Sequence, residues 1–244
     1  MNYFEHYLKD IQSLPIKSRY TKEDLLLPQF RIEQNGTLDI YYSPHNEIVN
    51  DQGKVVIVGI TPGWIQMENA FRTVRMLMDE GREKMEMLEA AKESAQFSGS
   101  MRKHLVQMLD ELELPAFLSL SEAASLFKGN RKLLHTVSLL KYPVFAGNKN
   151  YTGHQPSIKS SPVLMKYARD TLKTDIQPLQ NPLIIPLGRA VEDVLLLFID
   201  EGEMDESRCL LGFPHPSGAN GHRHRQLKER KEELQQKLTD FFKQ

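Results

Sequence analysis

Short apolar runs and longer stretches with helical spacing alternate along this chain. Four of the runs are apolar enough for strands that are buried on both faces, and they cover residues 54–59, 132–140, 181–188 and 208–212. Because amphipathic segments separate these runs, the pattern predicts β-α-β units. We therefore expect an α/β protein with a four-stranded parallel sheet that helices cover on both faces.

The rest of the pattern predicts helices, one hairpin and one long loop. Helical spacing marks residues 66–95, 101–112, 120–127, 162–173, 189–198 and 223–243, after an amphipathic helix and an irregular lead-in within residues 1–28. Asn35-Gly36 separates two short β-prone segments and predicts a hairpin over residues 30–42. Residues 142–162 are rich in Gly, Asn, Pro and Ser and are expected to form a loop.

The length and the absence of an internal repeat or a low-complexity linker favour one domain. A chain of 244 residues suits a single large α/β domain. We expect this domain to span residues 1–244, with a helix and hairpin extension (1–50), a core (51–230) and a C-terminal helix (223–243).

Composition and charge exclude several classes of protein. A formal net charge of −1 excludes a strongly basic tail protein but is compatible with a local basic face that binds nucleic acid. Cys209 is the only cysteine, which excludes an intramolecular disulfide, a thiolate zinc site and a cysteine-ligated iron–sulfur cluster. The histidines do not show the spacing of metal ligands, so no metal is expected. No other cofactor is expected either. Since the start lacks a signal-peptide pattern and no apolar run approaches the ~20 residues that span a bilayer, we expect a cytoplasmic protein without membrane contact. We also expect a monomer.

The candidate chemistry lies in two loops that each follow an apolar run. In the loop at residues 212–221, His215 stands between Pro214 and Pro216, and proline restricts the backbone of the residue before it. A pre-set imidazole can donate a hydrogen bond to a developing oxyanion with little reorganisation. The alternative is a turn histidine without a chemical role.

The second half of the same loop suits an anion. Small residues such as Ser217, Gly218 and Asn220 let backbone N–H groups approach a phosphate, and the helix that follows adds its dipole. The basic residues 222–225 would add positive potential there. The alternatives are a helix lead-in capped by Asn220 or Gly221, and a solvated basic helix face.

The other loop, G-I-T-P-G at residues 59–63, is a tight turn in which Gly63 permits close approach of another group. Thr61 offers no base, so its hydroxyl could only orient a water molecule or another group. His135 lies in an apolar run and is by default a core residue, and Phe71 is either a stacking platform for a base or a core residue. Because ligands bind beyond the carboxyl ends of parallel strands, we expect four segments to meet at one rim of the sheet. These segments are residues 59–63, 135–138, 188–189 and 214–221.

The two loops resemble the two active-site motifs of the uracil-DNA glycosylase superfamily. In that family the first motif reads G-x-[D/N]-P-[Y/G] and the second H-P-S-[P/G], in this order and each after a strand of a four-stranded parallel sheet. Residues 59–63 and residues 215–218 match them here as G-I-T-P-G and H-P-S-G. Residues 133–138 are similar to the family's L-L-N-T-V strand, and residues 187–190 to its strand-end glycine. The resemblance covers about residues 50–230 and implies a three-layer α/β/α sandwich of this family's fold.

The resemblance implies a hydrolase of DNA repair that binds single- or double-stranded DNA. Such an enzyme flips a damaged base out of the stack and hydrolyses its N-glycosidic bond. His215 would stabilise the departing base, and Ser217 and the surrounding backbone would contact phosphates. Residues 218–221, which include Gly218 and Asn220, would form the loop that fills the gap left by the flipped base, and Phe71 would stack on the base. The other residues implied at the base pocket are Gly59, Ile60, Thr61, Pro62, Gly63 and His135.

Two positions depart from the family's pattern. The water-positioning Asp or Asn of the family falls at Thr61. Its base-reading Asn falls at His135, whose imidazole carries its donor and its acceptor on opposite sides of the ring. Efficient uracil-specific excision is therefore not expected. Three functions stay open: a glycosylase for another base, a non-catalytic module that binds nucleic acid or a nucleobase, and a hydrolase of free nucleosides or small phosphorylated ligands.

Overall fold

The structure is a computed structural model that describes residues 3–129 and 131–243. Its helices are α1 Phe4–Ser13, α2 Lys22–Leu25, α3 Trp64–Asp79, α4 Lys84–Ala95, α5 Ser100–Glu111, α6 Leu114–Phe117, α7 Pro162–Thr171, α8 Arg189–Asp200 and α9 Arg223–Phe242. Its strands are β1 Arg31–Asn35, β2 Leu38–Tyr41, β3 Val55–Gly59, β4 Leu134–Ser138, β5 Val144–Ala146, β6 Lys149–Asn150 and β7 Leu183–Pro186.

The chain forms two compact units, and each is assembled from segments that alternate along the sequence. Unit 1 contains the described residues before Asn50 together with Thr61–Ser98 and Leu140–Gln155. Unit 2 contains Asn50–Ile60, Gly99–Leu139 and the described residues from Pro156 onward. The single domain expected over residues 1–244 stays a prediction, because compactness does not measure whether a unit folds alone.

Unit 2 contains the parallel sheet that the sequence predicts. β3 lies in its centre and pairs in parallel with β4 on one side and with β7 on the other. Every residue of β3 is buried, which explains why this run is apolar throughout. Three of the expected strands therefore form, and the α/β class with a parallel sheet is confirmed.

The fourth expected strand, at residues 208–212, adds only one bridge to this sheet. Cys209 forms a parallel bridge with Ile184 of β7. Gly212 then adopts a φ of +92° and donates its N–H to the Glu192 carboxylate. The backbone leaves the ladder at this point. The parallel sheet therefore has three strands among the described residues, and the fourth strand stays a prediction.

Unit 1 contains an antiparallel sheet of strand order β1-β2-β5-β6. The hairpin predicted over residues 30–42 is confirmed as β1 and β2, with Gly36 at a φ of +58°. The prediction of a loop over residues 142–162 is wrong for residues 144–150, because β5 and β6 form a second hairpin with positive φ at Gly147 and Asn148. Strands of two or three residues are too short to show alternation along the sequence, and β5 finds its partner in β2.

The predicted helices are largely confirmed, with two corrections. Residues 66–95 form α3 and α4 rather than one helix, because α3 ends at a left-handed Gly81 (φ +69°). The Gly81 N–H donates to the Met78 carbonyl, and the Arg82 N–H donates to the Leu77 carbonyl, as in a Schellman motif. The helix expected near residues 120–127 is a short 3-10 turn at Ala123–Phe127. The other long helices, α5, α7, α8 and α9, lie where the sequence predicts them.

Candidate functional site

The strand order of unit 2 places a topological switch point between β3 and β7 of the parallel sheet. The chain leaves β3 for β4 on one side and later returns to β7 on the other, so the connections diverge between β3 and β7. Ligands of open α/β sheets bind at such a switch point, outside the carboxyl ends of the strands. β3 ends at Gly59 and continues into Ile60, and β7 continues into Leu187 and Gly188. The Leu187 N–H donates to the Val58 carbonyl over 2.9 Å, so the pairing of β3 with β7 extends to this edge.

His215 lies at the same edge, next to the end of β7. The Gly188 N–H donates to the Phe213 carbonyl over 3.0 Å. A Cβ added to Gly188 would lie 2.7 Å from the Cβ of His215. Gly188 also has φ +80° and ψ 173°, a conformation that is essentially restricted to glycine. The missing side chain of Gly188 therefore makes the room that His215 occupies.

The His215 imidazole is held as a neutral hydrogen-bond donor. The Ser217 N–H donates to Nδ1 over 3.2 Å, so Nδ1 carries a lone pair and the proton of the neutral ring is on Nε2. Burial lowers the pKa of His215 below its usual value, because the charged ring would lose its hydration. A neutral ring with a proton on Nε2 can donate a hydrogen bond to a carbonyl or to a developing oxyanion.

The loop at residues 212–221 is called the second loop from here on, because it follows residues 59–63 in the chain. Beyond His215, it has a part that is accessible to solvent and a part that bonds to the loop itself. Ser217 is half-buried and Gly218 is exposed, as a contact with a ligand requires. The Asn220 Nδ2 donates to the His215 carbonyl over 3.1 Å and to the Gln226 Oε1 over 2.9 Å. The amide of Asn220 therefore closes the loop on itself, and the place of Asn220 in a gap-filling loop stays a prediction.

His104 of α5 contacts the second loop and was missed by sequence reasoning. Its Nδ1 lies 3.0 Å from the Pro216 carbonyl, and its Nε2 lies 3.2 Å from Nη2 of Arg223. Arg223 also donates from Nη1 to the Asn220 carbonyl over 3.1 Å. A histidine within an amphipathic helix carries no sequence signal for a contact with a loop more than one hundred positions later.

His135 does not reach the rim where a base-reading residue was expected. β4 pairs with β3 in a register that places Ser138 opposite Gly59, so Ser138 stands at the carboxyl edge. His135, the second residue of β4, is buried near the other end of the strand. There the Asn50 N–H lies 3.4 Å from its Nδ1, and a Cβ added to Gly53 would lie 3.0 Å from its Cβ. The register of the strand pair, which the apolar run does not reveal, corrects this expectation.

Thr61 belongs to unit 1, where its hydroxyl makes two hydrogen bonds with the backbone. The hydroxyl donates to the Tyr142 carbonyl over 2.9 Å and accepts the Val144 N–H over 3.0 Å. These bonds anchor the beginning of β5. The only proton of the Thr61 hydroxyl is donated to a carbonyl. The hydroxyl could therefore bind a water molecule only by accepting a hydrogen bond on its second lone pair.

Gly63 permits a close approach, as predicted, and the group that approaches is the side chain of Asn150. The Asn150 Oδ1 accepts the Trp64 N–H over 3.0 Å, and its Nδ2 would lie 3.2 Å from a Cβ at Gly63. Asn150 therefore caps α3. It lies in β6, within the stretch that was predicted to be a loop, and so it was not a candidate. The neighbouring Pro62 is buried.

Phe71 lies in the core of unit 1 and is not a stacking platform. The side chain is completely buried. Its ring contacts Phe30 at a centroid distance of 4.9 Å and Tyr42 at 6.2 Å, both edge to face. A base could stack on Phe71 only if this aromatic cluster were repacked, so the expectation of a stacking role is corrected.

Residues 3–129 and 131–243 contain neither a metal-binding cluster nor a membrane-spanning helix. No group of three or more His, Cys, Asp or Glu side chains in these ranges is arranged to hold a metal ion. No helix in the same ranges is both long and apolar enough to cross a membrane.

Comparison with known proteins identifies a bacterial relative. No family model and no solved structure matches this chain. The uncharacterized protein YoxB of Bacillus subtilis (strain 168) is 43% identical over 238 residues, which cover 97% of this chain and 92% of YoxB. Because this identity extends over nearly the full length of both proteins, the chain belongs to the same family as YoxB.

Proposed function

We propose that this protein is uracil-DNA glycosylase-like: it binds an extruded base in DNA and hydrolyses the N-glycosidic bond of that base. One observation carries the proposal. The His215 imidazole is neutral, has its proton on Nε2 and lies beside Gly188 at the carboxyl end of β7. This is a pre-organised donor at the edge of the sheet where α/β proteins bind their ligands.

The strand order of unit 2 supports the corresponding fold. The segment around Cys209 lies next to β7, so it would extend the order β4-β3-β7 by a fourth strand. The Leu210 N–H donates to the Ile184 carbonyl over 2.8 Å, as a parallel neighbour of β7 would do. With this segment counted, the proposed fold is a three-layer α/β/α sandwich around four parallel strands.

In the proposed reaction, His215 acts on the leaving base. The bond between C1′ of the sugar and the base nitrogen breaks, and the base departs with the bonding electrons. A carbonyl oxygen of the base accepts a hydrogen bond from the His215 Nε2–H, which strengthens as the negative charge develops. Water adds its hydroxyl to C1′, and the remaining proton balances the charge of the base. Loss of one donor of this kind typically slows a reaction by about 10²–10³-fold.

A second candidate is binding of the base without hydrolysis, and the contacts of Thr61 favour it. The family's water-positioning residue falls at Thr61, whose hydroxyl is engaged with the backbone at Tyr142 and Val144. The unaltered protein distinguishes the two candidates. Formation of an abasic site supports hydrolysis, whereas retention of an altered base without any abasic site supports a binding module.

The test is a panel of single-stranded and duplex oligonucleotides that each carry one altered base, such as uracil or hypoxanthine. Each substrate is scored for formation of an abasic site and for retention at rising salt, because contacts with phosphates weaken steeply with salt. We expect His215→Ala to reduce excision by about 10²–10³-fold if the chain is a catalyst. Retention should fall in the same variant.

His154→Ala is the matched control, since it removes an exposed histidine that lies outside both loops and outside the basic residues 222–225. It should leave both measurements close to those of the unaltered protein. Equal effects of the two substitutions would refute the role of His215. Failure to distinguish any altered base from undamaged DNA would refute the proposed function.

A further inference from the structure

One peptide unit of the second loop lies between two histidines of unit 2. The Pro216 carbonyl accepts a hydrogen bond from His104 Nδ1 over 3.0 Å. The Ser217 N–H, on the other side of the same peptide bond, donates to His215 Nδ1 over 3.2 Å. A peptide unit is planar, and its C=O and N–H point in opposite directions. A hydrogen bond that holds the carbonyl therefore also sets the direction of the N–H.

The contact of His104 with Arg223 selects one tautomer of the neutral His104 ring. Arg223 can only donate, so the 3.2 Å contact from its Nη2 requires a lone pair on His104 Nε2. The proton of the neutral ring is then on Nδ1, where the Pro216 carbonyl accepts it. Arg223 is in turn held in place by its bond to the Asn220 carbonyl. Both contacts of His104 are satisfied by one neutral tautomer.

We propose that His104 is the positioning residue of the second motif, and that it acts on His215 through the Pro216–Ser217 peptide. The donors run in one direction, from Arg223 to His104, from His104 to the carbonyl, and from the N–H to His215. Hydrogen bonds in such a chain polarise one another, so each strengthens the next. The result is a lone pair held on Nδ1 of His215 and a proton held on its Nε2.

This relay deepens the proposed function, because it explains how the donor at Nε2 is maintained. The use of that donor towards a base rests on the proposed function. The tautomer of His215 does not, since it belongs to the protein without a ligand. The relay and the proposed function can therefore fail separately. If no base is bound, the relay can still hold. If His215 exchanges between its two tautomers, the relay fails and base binding must depend on other groups.

The experiment measures the His215 ring nitrogens and the Ser217 amide in the ligand-free full chain. Nitrogen NMR distinguishes a ring nitrogen that carries a proton from one that accepts a hydrogen bond, and hydrogen exchange reports the protection of the amide. In His104→Leu, we expect the Ser217 amide to exchange at least tenfold faster and the two His215 nitrogen signals to move towards each other. The reason is that the Pro216 carbonyl loses its hydrogen bond from His104, so the Pro216–Ser217 peptide unit is free to change its orientation.

His104→Asn is the rescue variant. The amide nitrogen of Asn can occupy nearly the position of His104 Nδ1 and can still donate to the Pro216 carbonyl. We expect protection of Ser217 and the separation of the His215 nitrogen signals to be retained. Gln226→Leu is the matched control, because it removes a side-chain contact of Asn220 without touching the peptide, and both readouts should stay unchanged.

Two results would overturn the relay. One is an unchanged His215 ring and Ser217 amide in His104→Leu. The other is a loss in His104→Asn as large as that in His104→Leu. Should His104→Leu not fold, Arg223→Met removes the first donor of the chain and should shift the same signals in the same direction by a smaller amount. Unchanged signals in Arg223→Met would then overturn the relay.

Discussion

Gly188→Ala should both destabilise the fold and displace His215. Gly188 has φ +80° and ψ 173°, and a residue with a Cβ in this region costs about 1–3 kcal/mol of strain. The new Cβ would lie 2.7 Å from the Cβ of His215 and 3.3 Å from its backbone nitrogen. Because His215 stands between two prolines, its backbone cannot move aside easily. Overpacking of this kind adds about 1–3 kcal/mol, so we expect a total loss of roughly 2–6 kcal/mol.

The assay combines urea unfolding with NMR of the histidine rings. Gly202→Ala is the matched control, because Gly202 also has a positive φ (+74°) but a Cβ there would meet no atom within 4 Å. Gly202→Ala should cost about 1–2 kcal/mol from backbone strain and should leave the His215 ring signals in place. The difference between the two variants isolates the overlap with His215.

Two outcomes would refute this reasoning. Equal losses of stability in the two variants would show that the overlap with His215 has no cost. An unshifted His215 ring signal in Gly188→Ala would show that the imidazole does not depend on the space beside Gly188. The altered-base panel provides a third readout, since a displaced His215 should behave like His215→Ala in retention.

The other predictions concern unit 1. Thr61→Val removes both hydrogen bonds of the hydroxyl and leaves the Tyr142 carbonyl and the Val144 N–H without these partners, which should cost about 1–3 kcal/mol in urea unfolding. Unchanged hydrogen exchange at Val144 would contradict this anchoring role. Burial, and secondarily the positive charge of Lys92, lowers the pKa of His45 to about 3. Between about pH 6.5 and 3 the unfolded chain therefore binds a proton that the folded chain does not, so stability should fall with decreasing pH by about 1.4 kcal/mol per unit. His45→Leu should remove this slope, and an unaltered slope would show that another group causes it.

The elements that sequence pattern predicts well are those with uniform burial. β3 is apolar at every position because the sheet buries both of its faces, and that pattern needs no knowledge of its partners. The hairpin of β1 and β2 is marked by its Asn-Gly turn, whose left-handed preference is local. Likewise, the fixed surroundings of His215 between two prolines follow from the covalent structure.

Elements and residues that depend on a distant partner were predicted poorly. β5 has three residues and is a strand because β2 pairs with it. The run at residues 208–212 is apolar enough for a strand, yet Gly212 leaves the ladder where Glu192 accepts its N–H. His104 contacts the second loop through atoms that no local pattern connects to it.

The candidate site shows the same division. Local sequence was enough to select the loops, because prolines, glycines and a histidine at close spacing restrict the backbone whatever surrounds them. Packing assigned the roles: strand register buried His135 and placed Ser138 at the rim, and an aromatic cluster enclosed Phe71. Register and side-chain partners arise from contacts between segments far apart in the chain. Burial and turn preferences are properties of neighbouring residues, and these are what a single sequence displays.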